Sequence, residues 1–170
     1  MLDVGQTSRF LVHFSDNEIT DVIDNKIGNT NFSASLNVKI ATAYETPASH
    51  SAHAYPVFQY WDGGVGKYGD LPFDKSGCTW RYATAENTNS WVLPHNSVSM
   101  SSGVTGSYNA TYPGGGNYYT GSGGYNLHTS QSFETNDNLD LNIDVTNGTL
   151  LHYTGSIVNN GFLVKFDDRM

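Results

Sequence analysis

Residues 139–146 read LDLNIDVT. Leu139, Leu141, Ile143 and Val145 alternate with Asp140, Asn142 and Asp144. A period of two sends the aliphatic set to one face and the polar set to the other, as in a strand with one buried side. Just beyond it, Thr146 can cap a helical turn, Leu150 and Leu151 can be buried, and Gly155 can stop it. Phe162, Val164 and Phe166 then alternate again as a closing strand.

The same period recurs toward the N-terminus. Phe32–Ala41 places Leu36, Val38 and Ile40 inward. RFLVHFS, residues 9–15, places Phe10, Val12 and Phe14 on one side and Leu11 on the other. SDNEITDVIDNKIG, residues 15–28, changes period. There Ile19, Val22, Ile23 and Ile27 recur at three and four, Ser15 or Asp16 can cap, and Gly28 can stop one short helix. Tyr55–Trp61 reads as a further strand. Weaker strands are expected near Thr79–Tyr82, Trp91–Leu93, Asn96–Met100, Ser107–Thr111 and Leu127–Phe133. Many short strands with turn signals between them, and no strand–helix alternation, predict an all-β fold. The expected architecture is an antiparallel β-sandwich of the jelly-roll kind with one or two short helical turns, as one domain over residues 1–170. Its core is expected to hold Phe10, Val12, Phe14, Leu36, Val38, Leu141, Ile143, Phe162 and Val164.

Composition narrows the function. Charged residues are 14% and hydrophobic residues 38%, so the polar share is largely neutral, which suits strands joined by turns. Net charge is −8 with eight Lys and Arg in total, which argues against a nucleic-acid partner. No apolar run has the length of a membrane span. MLDVGQTSRF carries no basic region followed by an apolar stretch, so no secretory signal is expected. Cys78 is the single cysteine, which rules out an internal disulfide. A chain made and folded in the cytosol is the expectation.

Residues 57–70, VFQYWDGGVGKYGD, invite a phosphate-loop reading, and fail it. Counting back from Gly66-Lys67, the first required glycine is Trp61, and the Ser or Thr that would hold magnesium is Tyr68. A sugar site and a simple corner remain. His50-x2-His53 has a spacing open to zinc, but it lies in a Ser/Ala stretch read as a loop, with no Cys, Asp or Glu beside it. Asp140-x-Asn142-x-Asp144 copies the start of a calcium loop, yet Val145 stands where that loop needs glycine, so a solvent face of a strand is expected. Asp62, Asp70 and Asp74 are ordinary loop carboxylates, Ser101 and Ser102 lack a nucleophile context, and Cys78 reads as a small buried hydrophobe. No catalytic constellation, metal site or cofactor is expected. The segment 101–126, SSGVTGSYNATYPGGGNYYTGSGGYN, reads as a long surface loop. Its Tyr108, Tyr112, Tyr118, Tyr119 and Tyr125 offer either a platform for a sugar or protein partner, or rings folded back onto the sandwich.

Five landmarks fall in order along the chain. They are SRFLVHF at 8–14, SASLNV at 33–38, YPV at 55–57 leading to WDGGVGKY at 61–68, GCTW at 77–80 with Trp91, and DVT at 144–146 with NGFLVK at 160–165. This order resembles the jelly-roll domains of the DNRLRE type, in the version found in tail, baseplate and fibre proteins of tailed bacteriophages. The resemblance covers roughly residues 8–166. It departs from the family's pattern at Tyr153, where a Trp is usual, and at both ends, where further strands are usual. It implies a non-enzymatic virion structural protein, assembled in the host cytoplasm and held by other virion proteins and by copies of itself. A carbohydrate-binding module touching a surface glycan is the other reading. The resemblance also favours the corner reading at 57–70, with Trp61 packed, Gly63, Gly64 and Gly66 open to positive φ, and Lys67 wet.

Overall fold

The alternation at residues 141–144 is borne out. The computed structural model describes residues 9–39, 49–65, 76–85, 89–91, 98–99, 105–106, 116–122, 124–134 and 140–166. Its elements are β1 (Arg9–Val12), α1 (Asp16–Asp21, continuing as a π-helical turn over Val22–Ile27), β2 (Ser35–Val38), β3 (Ser49–Pro56), β4 (Val98–Ser99) and β5 (Thr105–Gly106). Then follow β6 (Gly121–Ser122), β7 (Tyr125–Asn126), β8 (Thr129–Glu134), β9 (Leu141–Asp144), α2 (Thr146–Tyr153) and β10 (Phe162–Phe166). β9 buries Leu141 and Ile143 and exposes Asn142 and Asp144. It pairs antiparallel with β2 in a register that sets Leu36 opposite Ile143 and Val38 opposite Leu141, so two apolar rows share one face.

A four-stranded antiparallel sheet, in the order β1-β10-β3-β8, lies against this pair. Its inner face offers Ala52 and Ala54 from β3, Phe133 from β8, and Phe162 and Val164 from β10. These pack with Leu36, Leu141, Ile143 and Val145 in one buried cluster, with Val12, Ala34 and Val38 against it. Large rings on either side of a central alanine strand let the layers interdigitate. The result is a β-sandwich with two short helices.

α1 forms as expected. Ser15 Oγ accepts the Glu18 amide at 3.3 Å, while Glu18 Oε2 accepts the Ser15 amide at 2.9 Å, a reciprocal capping box. The helix ends at Gly28, which adopts a left-handed φ of 76° and donates to Ile23 O at 2.8 Å.

Several expectations are corrected. The strand read as Tyr55–Trp61 starts at Ser49 and ends at Pro56, so SHSAHAY, residues 49–55, is no loop but an inner strand of the larger sheet. Alanine is a weak strand former in the open. Here Ala52 and Ala54 are fully enclosed, and burial decides. Phe10 and Phe14 are not core residues; they are 40% and 45% exposed. Among the described residues β1 is an edge strand and the opposing sheet is two strands wide, so Phe10 lies at the rim. Thr79–Tyr82 is a turn, closed by the Thr79 amide on Tyr82 O at 2.8 Å, rather than a strand. The strand near Asn96–Met100 is present as Val98–Ser99, paired with Thr105–Gly106. Ser107–Thr111 lies outside the described residues.

The segment expected as a surface loop at 101–126 is, at its C-terminal end, a cover. The Phe58 amide donates to Asn117 O at 2.8 Å, the Tyr119 amide donates to Pro56 O at 3.0 Å, and Tyr118 bridges Val57. Tyr118 thereby packs with Tyr55, Val57 and Leu163 on the outer face of the larger sheet, with Leu11 and Trp61 beside them. This is why Leu163, an outward position, is fully buried. A third cluster of Tyr119, Leu127, Leu151 and Ile157 sits beneath α2.

Candidate functional site

The tyrosines singled out by sequence have separate fates. Tyr118 and Tyr119 are buried, at 4% and 1% exposure, and burial pushes the Tyr119 hydroxyl up to about 12. Their rings are packed in two of the apolar clusters rather than spread on an open platform. Tyr125 belongs to β7, and its side chain lies outside the description, as do Tyr108 and Tyr112 altogether.

The histidine pair at 50 and 53 is split by the strand that carries it. Three residues apart on β3, the two side chains leave opposite faces of the sheet. His50 stacks on Phe133 at 4.9 Å between ring centres, while His53 meets His128 across the other face, Nδ1 to Nε2 at 2.7 Å. Among the described residues, no group of three or more His, Cys, Asp or Glu side chains converges on a metal position. The calcium-like acidic run is spent on local structure. Asp140 pairs with Lys39 at 2.6 Å, and Asp144 Oδ1 accepts the Thr146 amide at 2.8 Å at the start of α2. The Thr146 side chain, together with that amide contact, holds the Asp144 carboxyl below its ordinary range. The Cys78 thiol is raised by partial burial, the reverse of what a nucleophile needs.

Within its described part, residues 57–65, the 57–70 stretch turns at Gly64. Gly64 takes φ 69°, and a Cβ there would meet the Gly77 Cα at 2.7 Å, so two backbones pass in contact. Gly63 pairs with Gly77, and the Asp62 carboxylate accepts the Ala85 amide at 3.0 Å. Gly66 and Lys67 lie outside the described residues. The corner, however, also presents a surface. Tyr60 is 67% exposed, with its hydroxyl raised by a hydrogen bond to Asp62, and Trp61 is half-buried with its indole N–H on Asn160 O at 2.8 Å. The two rings line a cleft of about 290 Å³ with His13, Asp16 and Asn159. A second cavity, of about 340 Å³, shares Asp16 and Asn159 with it and runs along His152 and Tyr153 of α2.

Asn159 is the post of this region. Its Nδ2 donates to Asp16 Oδ1 and to Phe14 O, both at 2.8 Å, and its Oδ1 accepts the Gly161 amide at 3.1 Å. His152 is 5% exposed, and neither ring nitrogen has a hydrogen-bond partner. Burial lowers its pKa to about 4, so the ring is neutral near pH 7.

The other side of α1 is apolar. A groove of about 240 Å³ runs between α1 and β2, walled by Phe14, Val22 and Ile27 and floored by Ile23, Leu36 and Phe162. Phe14, Val22 and Ile27 are each at least 40% exposed. Val22 and Ile27, which share a helical period with Ile19 and Ile23, stand exposed, and no local pattern marks His152, Asn159 or Tyr60. Comparison with protein-family models, curated proteins and solved structures finds no match.

Proposed function

We propose that the protein is a non-enzymatic structural component built on a jelly-roll sandwich, working through protein–protein contacts. The virion proteins of tailed bacteriophages, whose landmark order the sequence resembles, are the setting we infer, with copies of the chain itself as the first partner. The observation that carries this reading is the apolar groove beside α1. Three large side chains stand exposed around it, and exposed apolar surface of this kind marks interaction sites. The groove borders β2, which among the described residues pairs only with β9 and so presents an open edge. An open edge next to an apolar groove suits a neighbour that adds both backbone hydrogen bonds and a side-chain plug. Closed symmetric assembly is the commonest way for one chain to cover such a surface with itself.

The test is sedimentation velocity at about 10 μM, a concentration at which contacts of this size populate an oligomer. The wild-type chain is expected to sediment as a defined oligomer. Val22→Asp with Ile27→Asp, both at exposed positions, is expected to give a monomer with an unchanged melting temperature. A wild-type monomer, or an oligomer indifferent to both charges, overturns the reading.

A further inference from the structure

We infer that the cleft formed by His13, Asp16, Tyr60, Trp61 and Asn159, together with the cavity beside His152 that shares Asp16 and Asn159 with it, binds a neutral sugar. This inference does not depend on self-assembly, which uses the other side of α1.

The argument starts from size and shape. Two cavities of about 290 and 340 Å³ share Asp16 and Asn159, and together they fall in the range of ligand pockets. One wall is aromatic. Tyr60, exposed, and Trp61, half-buried, are adjacent in sequence and both line the cleft. The negative face of an aromatic ring attracts the positive C–H face of a pyranose, so this pair is a stacking floor. The opposite wall is polar and already positioned. Asp16 is held by Asn159 through one carboxylate oxygen at 2.8 Å, which fixes the direction in which its acceptors point. An ionised carboxylate has about four acceptor sites, enough to take a pair of neighbouring hydroxyls while keeping the Asn159 contact. His13 is exposed at the same rim.

The end of the cavity supplies an independent sign. His152 lines it, is almost wholly buried, and has both nitrogens unpaired. A buried polar group without a partner destabilises the fold, and a leucine in the same wall would avoid that loss. A neutral imidazole has one donor and one acceptor, and a sugar hydroxyl has both roles to offer in return. Both ring nitrogens are buried, so meeting such a hydroxyl requires the His152 ring to turn toward the cavity.

Other ligand classes fit less well. The Asp16 carboxylate and a net charge of −8 oppose an anion. Among the described residues no three His, Cys, Asp or Glu side chains are placed to hold a metal ion here. A purely apolar ligand would leave His152 and the remaining acceptor sites of Asp16 without partners.

The test is nuclear magnetic resonance of the full chain titrated with glucose, galactose and N-acetylglucosamine and their short oligomers, and with sialic acid as the anionic counterpart. At least one neutral sugar is expected to shift the Trp61 indole N–H, the Asn159 side-chain amide and the His152 ring signals together, saturating near about 1 mM. Tyr60→Ala, a change at an exposed position, and Asp16→Asn are each expected to weaken binding at least about tenfold while the melting temperature holds. If Asp16→Asn lowers the melting temperature, Tyr60→Ala alone decides. Absence of any shift with all neutral sugars, shifts mapping elsewhere, preference for sialic acid, or full binding by Tyr60→Ala would each overturn the proposal.

Discussion

Gly161 and Gly28 form a matched pair that tests how the sandwich closes. Both hold left-handed backbone, at φ 79° and 76°. A side chain in that region costs about 1–2 kcal/mol on conformational grounds alone. Their surroundings differ completely. A Cβ on Gly28 meets nothing within 4 Å, whereas one on Gly161 would collide with the Val12 carbonyl oxygen and sit 2.9 Å from the His13 Cα. Those are backbone atoms at the end of β1, and β1 cannot withdraw without loosening its ladder with β10, in which Val12 faces Phe162. Gly161 is also held on its other side, since its carbonyl accepts the Val57 amide at 2.9 Å. Gly28→Ala should therefore cost only the conformational amount, about 1–2 kcal/mol. Gly161→Ala should add the penalty of an overpacked site, about 1–3 kcal/mol more. In a chain of this size 1 kcal/mol moves the melting temperature by about 2–4 °C. The expected falls are about 2–8 °C for Gly28→Ala and about 4–20 °C for Gly161→Ala. Urea titration and calorimetry on both variants give the comparison directly. Losses within about 0.5 kcal/mol of each other would refute the close approach of residue 161 to the end of β1.

Two further outcomes follow from the core. Ile143, 1% exposed and set opposite Leu36, should lose about 2–5 kcal/mol on replacement by Ala in a urea titration, and a loss below about 0.5 kcal/mol would mean that β9 presents its other face. His152 has a folded pKa lowered by burial from 6.5 to about 4, so between those values the unfolded chain binds more protons than the folded one. Its contribution, about 3 kcal/mol at most, is present above pH 6.5 and is lost as the pH falls toward 4. Melting temperatures across that window should fall less steeply in His152→Leu than in wild type, and equal slopes would count against a buried neutral ring.

What the sequence disclosed, and what it hid, follows the reach of the signals. β9, β10, α1 and the turn at Gly28 are written in local periods and caps. Ser15, Glu18 and Gly28 act within a few residues of where they stand, and each does what its type suggests. The inner strand β3 was hidden because Ala52 and Ala54 carry no hydrophobic weight of their own. They are apolar enough only because Phe133 and Phe162 close over them, which is tertiary information. Tyr118 reads locally as a polar ring in a glycine loop. It is buried because Leu11, Tyr55 and Leu163 leave the outer face of the larger sheet uncovered until it arrives.

The polar cleft takes this further, because nothing in it is local. His13 and Asp16 follow β1, Tyr60 and Trp61 follow β3, and Asn159 precedes β10. The sheet order β1-β10-β3 brings all three together: Val12 faces Phe162 on one side of β10, and Pro56 faces the same Phe162 on the other. The end of β1, the end of β3 and the start of β10 therefore lie at one end of the sheet, and the residues just past them share that end. Each is bland when read alone, a loop histidine, a helix-start aspartate, an aromatic pair in a corner, an asparagine in a turn. Strand order makes them neighbours, and α2 adds His152 from behind. A sequence with the same segments and a different pairing of β10 would keep every local motif and have no cleft. Mutations that shift the β1–β10 register should accordingly abolish sugar binding before they unfold the sandwich, since the core cluster draws on β2, β3, β8 and β9 as well.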